Sequence, residues 1–144
     1  MTRKYLNAAM RDALREEMAR DPRVIVLGED VALGVYGFTS GLIEEFGPER
    51  VRNTPIAETT TVGATLGAAA CGLRPVTDMM MANFLYTGMD QIANQLTKLR
   101  YMTGGQFKIP AVFISVEGIG GNVAAQHSET IHAVLMSLAG AKIV

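Results

Sequence analysis

Four consecutive apolar residues, Val24-Ile25-Val26-Leu27, leave neither side of an extended chain for water. Successive strand side chains point to opposite faces, so a run with no polar member reads as a strand covered on both sides. Pro75 to Met80 and Ile109 to Val116 read as further strands, and Val51 to Thr54 as a short one. A proline is tolerated at a strand's first residue, which suits Pro75. Helical stretches lie between the strands. Tyr5 to Arg20 carries Leu6, Ala9, Met10, Ala13, Leu14 and Met18 at helical spacing, and Asp21-Pro22 stops it. Ser40 is placed to cap a short helix from Gly41 to Phe46. Longer helices are expected over Thr60 to Cys71, Asp90 to Tyr101 and Thr130 to Leu138, with loops over 31–38 and 117–126 and irregular chain over 82–87. Lys142 to Val144 reads as the start of another strand, so the expected sheet is incomplete at that end.

Strands alternating with helices predict an α/β fold, a parallel sheet flanked by helices, as one domain over residues 1–144. Ligands of such sheets sit beyond the carboxyl ends of the strands. Glu29, Asp30, Glu58, Phe84 and the 117–127 loop all follow strands. Net charge is −1, so there is no basic field to draw nucleic acid or an anionic membrane. The single cysteine, Cys71, excludes an internal disulfide framework and reads as a buried, inert thiol. The first 18 residues mix charge throughout and do not read as a signal peptide. No run approaches the roughly 18 apolar residues of a membrane span. A cytoplasmic location, or an organelle matrix, is the expectation.

The stretch Arg52–Pro75, RNTPIAETTTVGATLGAAACGLRP, concentrates the constraints. Glu58 stands at a strand-to-helix junction. Gly63 and Gly67 share a helix face with Ala64 and Ala68. Each glycine costs about 1 kcal/mol against alanine in a helix interior, so close packing of another backbone is expected there. Gly72 suits the C′ position. Glu58 is either a helix-start carboxylate favoured by the dipole or a positioned acid. His127 lies between a glycine-rich loop and a helix start, and reads as a structural or a catalytic imidazole. His132, inside the last helix, reads as structural. Glu29 and Asp30 are adjacent and point apart, which suits loop charges better than paired acids. Phe84 is either core filling or a platform for a flat heterocycle. Met79-Met80-Met81 reads as adaptable core. The run Glu117-Gly118-Ile119-Gly120-Gly121-Asn122 does not complete a dinucleotide fingerprint, and no P-loop is present.

Taken in order, GED, FGPERVRNTPIAE, VGATLGAAACGLRPV, MDQIANQLTKLRYMTGGQ and AAQHSE resemble the beta subunit of the 2-oxoacid dehydrogenase E1 component. That group comprises pyruvate, branched-chain 2-oxoacid and acetoin dehydrogenases, which depend on thiamine diphosphate. The resemblance covers essentially the whole chain. It implies the N-terminal pyrimidine-binding domain of an alpha2beta2 heterotetramer, without the C-terminal domain, and inactive alone. It implies that Glu58 hydrogen-bonds N1′ of the aminopyrimidine and that Phe84 stacks on that ring. His127 would lie at the active-site entrance and assist acyl transfer to the lipoyl group of an E2 partner. The small-residue helix would pack on a neighbouring subunit. Ala111 would give one carbonyl to a potassium ion. Magnesium and the diphosphate are held in the family by a GDG…N motif of the alpha subunit, and no GDG occurs here. The family has serine where Ala57 stands, and a small residue, a glycine and a large apolar residue where Thr59, Thr60 and Thr61 stand. Three threonines predict a more polar pocket. Two other readings stand beside this one: a split transketolase-like or deoxyxylulose phosphate synthase-like pyrimidine domain, and a non-catalytic α/β module that only binds a partner.

Overall fold

A computed structural model describes residues 3–118 and 121–144. Ile119 and Gly120, part of the expected 117–126 loop, lie outside the described residues. Four strands, β1 (Val24–Gly28), β2 (Val51–Asn53), β3 (Arg74–Met81) and β4 (Val112–Val116), form one sheet in the order β2-β1-β3-β4. Every pairing is parallel. All five residues of β1 are buried, as its uninterrupted apolar run requires.

Helix α1 (Leu6–Arg20) and the short α2 (Leu42–Phe46) cover one face. Leu14, Met18 and Leu42 meet Val24, Val26, Val31 and Val51 in one core cluster. Helix α3 (Glu58–Ala70) serves the second cluster, where Val62 joins Met79, Ala82, Leu85, Ile92 and Ile131. Under α3 the Thr65 hydroxyl lies 2.7 Å from that of Thr77 and donates to the Thr61 carbonyl at 2.8 Å. These buried hydroxyls satisfy one another, which a polar group removed from water requires.

Arg50 ties the first layer to the sheet. Its guanidinium donates to the carbonyls of Met18, Asp21 and Val24 at 2.7–3.1 Å, and it lies 5.2 Å from the Phe46 ring. At the end of β1, Gly28 has φ +150, and a Cβ there would collide with the Asp78 carbonyl of β3. The two strands approach so closely only because that residue has no side chain.

Several expectations are corrected. Ser40 does not cap α2: Gly41 occupies the N-cap at φ 79, and no side-chain bond is made there. The helix expected over Asp90–Tyr101 is broken into a π-helical stretch, Gln91–Leu96, and α4 (Leu99–Met102). At the break Thr97 N–H bonds back five residues to Ile92 O, and its hydroxyl donates to Ala93 O at 3.1 Å. A threonine hydroxyl competes in this way with the regular helical ladder. The last helix, α5, is confined to His132–Met136. Lys142–Val144 forms no strand, since it pairs with none of the four. Cys71 is exposed, because it is the C-cap of α3, where the chain turns away from the core. The glycine face of α3 is open as well: a Cβ at Gly67 would meet nothing within 4 Å, and one at Gly63 only the Gln91 side chain at 3.9 Å. Among the described residues no helix is long and apolar enough to cross a membrane.

Candidate active site

A cleft opens beyond the carboxyl ends of β1, β2 and β3, where the sequence placed it. Its lining comprises Glu29, Thr54, Pro55, Ile56, Ala57, Glu58, Thr61, Asp78, Met79, Met80 and Phe84. The same strand order that buries β1 brings these separate segments to one edge.

Glu58 enters as the first residue of α3. No side chain caps that helix, and the carboxylate in its first turn is favoured by the helix dipole. Glu58 is half-buried, and its carboxylate accepts no hydrogen bond from the described residues. Phe84 is half-buried in a 3-10 turn, Ala82–Tyr86, directly after β3. His127 closes a second 3-10 turn, Ala125–His127, and stands edge-on to the Phe84 ring at 5.3 Å between centroids and 85° between planes. Glu58 and Phe84 thus line the cleft together, whereas His127 is not part of its lining and meets only the Phe84 ring.

Of the three threonines, only Thr61 reaches the cleft. It is buried, and its hydroxyl lies 3.4 Å from that of Thr54. Thr59 donates to the Thr87 carbonyl at 2.7 Å, and Thr60 is exposed. Glu29 lines the cleft from the turn after β1, while Asp30 shapes that turn at φ 51, its carbonyl accepting from Leu33 and Gly34. His132 begins α5, and its Nδ1 lies 2.9 Å from Glu117 Oε1, a structural tie. Ala111 stands just before β4 and is half-buried.

Asp78 is the cleft residue that the sequence reading missed. It is 6% exposed, and its carboxyl is pushed up to about 6. Burial is the main cause and the Glu29 charge adds to it; the Met80 N–H, donating to Asp78 Oδ1 at 2.8 Å, works the other way. The register of β3 against β4 shifts between Asp78 and Met81, and Met80 takes φ 57. Asp78 accordingly braces a bulge that turns Met80 into the cleft, while Met79, packed in the core as expected, also borders it. The available signal was an acid inside the strand Val76–Met81, whose other residues are apolar apart from Thr77.

Comparison with known proteins adds the following. Residues 4–144 match the family model described as transketolase, pyrimidine binding domain. The chain is 47% identical over 138 residues to the pyruvate dehydrogenase E1 component subunit beta of Rickettsia bellii, covering 94% of this chain and 42% of that protein. It is 40% identical over 157 residues to the acetoin:2,6-dichlorophenolindophenol oxidoreductase subunit beta of Cupriavidus necator, covering 100% and 46%. Among solved structures, a split gene transketolase described as an inactive beta4 tetramer matches with a TM-score of 0.69 at 22% identity, over 92% of this chain and 39% of that one. That likeness is one of fold. The chain spans less than half the length of these relatives.

Proposed function

Because this chain belongs to the transketolase pyrimidine-binding domain family, we propose that its cleft is the half of a thiamine diphosphate site that receives the aminopyrimidine. The observation that carries this reading is the donor set. The cleft presents three carboxylates, Glu29, Glu58 and Asp78, an aromatic ring, apolar side chains and no lysine or arginine. Such a surface repels a diphosphate. It suits an uncharged ring that stacks on Phe84 and offers nitrogen to a carboxyl group. The diphosphate and its magnesium then fall to a second chain, in keeping with the lack of a GDG motif here.

When bound, thiamine diphosphate supplies a thiazolium carbon that adds to a 2-oxoacid and takes up the electron pair released on decarboxylation. The chain's own residues do the rest. Glu58 Oε exchanges a proton with the pyrimidine ring nitrogen, which sets the ring's tautomer. It is held for this on the rigid first turn of α3. Phe84 orients the ring and excludes water from one face. Met80, swung inward by the Asp78 bulge, lends apolar surface beside it. His127, beside Phe84, moves a proton during acyl transfer to a lipoyl acceptor. The resemblance gives a potassium ion one ligand in this chain, the carbonyl of Ala111, which stands just before β4.

The whole protein is accordingly read as a beta subunit of a 2-oxoacid dehydrogenase E1 component, working with an alpha subunit in an alpha2beta2 assembly and passing an acyl group to an E2 partner. Residues 1–144 form its pyrimidine domain, and the location follows that of the complex, cytoplasm or organelle matrix. Relatives at 40–47% identity favour this over the split-transketolase reading, whose solved structure is 22% identical and alike in fold. Glu58→Gln in an assembly with a GDG-bearing alpha chain tests it. Cofactor-dependent 2-oxoacid decarboxylation is expected to fall by about 10²-fold or more, the usual weight of a positioned proton-transfer group. Undiminished decarboxylation would remove Glu58 from the chemistry.

A further inference from the structure

His127 sits on backbone that holds itself poorly. Ala124, just before its turn, has φ 63, a region that side chains other than glycine seldom adopt. The turn's own bonds are long: His127 N–H to Ala124 O is 3.3 Å, and Ser128 N–H to Ala125 O is 3.4 Å. No strand ladder reaches these residues. Yet the imidazole meets Phe84 in a defined edge-on geometry.

The clasp is a carboxylate two residues on. Glu129 Oε2 accepts from Asn83 Nδ2 at 2.8 Å, and Glu129 Oε1 accepts from the Tyr86 hydroxyl at 3.1 Å. Asn83 and Tyr86 flank Phe84 in its 3-10 turn, so the two bonds grip that turn on either side of the ring. Among the described residues Asn83 Oδ1 is buried without a partner, and inverting the amide would turn it onto this carboxylate. The amide is therefore set by its bond to Glu129, since like-signed oxygens repel. Beyond the clasp, Ile131 is buried in the second core cluster, and its N–H donates to Glu117 Oε2 at 3.2 Å. The loop is fixed on the far side too, and Glu129 controls the side that bears His127.

We infer that Glu129 is a positioning residue, which locks the His127 loop onto the turn carrying Phe84 and so sets where the imidazole stands against that ring. The functional consequence rests on the role given to His127 above; the geometry does not. The test uses the full 144-residue chain, isotopically labelled, with Glu129→Ala and Glu129→Gln. Glutamine can still accept from Asn83 and can donate to the Tyr86 oxygen; alanine can do neither. The nuclear Overhauser contact between the His127 and Phe84 rings, and the ring-current shift of the imidazole protons, are expected in the native chain and in Glu129→Gln and lost in Glu129→Ala. The paired change Asn83→Ala with Tyr86→Phe reaches the same result from the other partner, which guards against misfolding of one variant. Persistence of the ring contact in Glu129→Ala would overturn the inference, as would its loss in Glu129→Gln. In the assembly with an alpha chain, acyl transfer to a lipoyl acceptor is expected to fall about tenfold for alanine and within twofold for glutamine, the weight of one hydrogen bond to a charged group. Loss of the ring contact with unchanged acyl transfer would uphold Glu129 as the clasp and count against His127 in the chemistry.

Discussion

Replacing Asp78 by asparagine isolates the effect of one buried negative charge beside the cleft. The carboxyl stands at about 6 against an ordinary 3.8, a difference of about two pH units, chiefly from burial. One pH unit corresponds to about 1.4 kcal/mol, so the charged form is disfavoured by up to about 3 kcal/mol relative to the unfolded chain. The sign follows from proton linkage. The folded chain holds this proton more tightly, so its stabilising effect is complete below about pH 4 and is lost as pH rises through about 6. Asparagine carries no charge at any of these values, and its Oδ1 can still accept from Met80 N–H and keep the bulge. Native chain and Asp78→Asn are therefore expected to unfold together near pH 4. At pH 7.5 the variant is expected to be more stable by about 2–3 kcal/mol, roughly 6–10 °C in midpoint for a chain of this size. Circular dichroism melts at several pH values and fixed ionic strength measure this. A stability difference that does not change between pH 4 and 7.5 would refute the reasoning. A variant less stable throughout would show that the carboxylate makes a favourable bond outweighing its burial.

Two further outcomes concern the frame that carries the cleft. Gly28→Ala is expected to destabilise by about 2 kcal/mol or more, because the position combines φ +150 with the Asp78 carbonyl in the space of a Cβ; urea unfolding checks it, and a change below about 0.5 kcal/mol would contradict it. Arg50→Met takes one guanidinium away from three backbone carbonyls and is expected to lose about 2–3 kcal/mol by the same measurement, with the Met18 and Val24 carbonyls losing this partner while Asp21 O keeps the Val24 N–H.

The sheet was legible because its signal is local. A fully apolar four-residue run such as Val24–Leu27 has few alternatives, and β1, β2 and β3 fall within a residue of their expected ends. The last strand is less regular: β4 starts at Val112 rather than Ile109. Glu58 and Phe84 were placed at one edge by topology alone, since both follow strands of a parallel sheet. What escaped depends on contacts across the chain. Asp78 looked like one more strand residue, and it is burial beside the shift against β4, with a smaller push from the Glu29 charge, that sets it apart. Thr97 looked helical by spacing, but its hydroxyl diverts the ladder. Gly63 and Gly67 were read as a close-packing face, yet the face is open within this chain; a sequence marks such a surface without saying what lies on it. The clasp from Glu129 to Asn83 and Tyr86 joins residues more than forty apart, which no local pattern reports.

A calorimetric titration of thiamine diphosphate, with magnesium present, into this chain mixed with a GDG-bearing alpha chain addresses the shared site directly. Saturable binding is expected from the mixture and from neither chain alone, weakened about tenfold or more when Glu58 is replaced by alanine, the loss of one hydrogen bond to a charged group. Equal binding by the alpha chain alone, or binding by the mixture indifferent to Glu58, would contradict it.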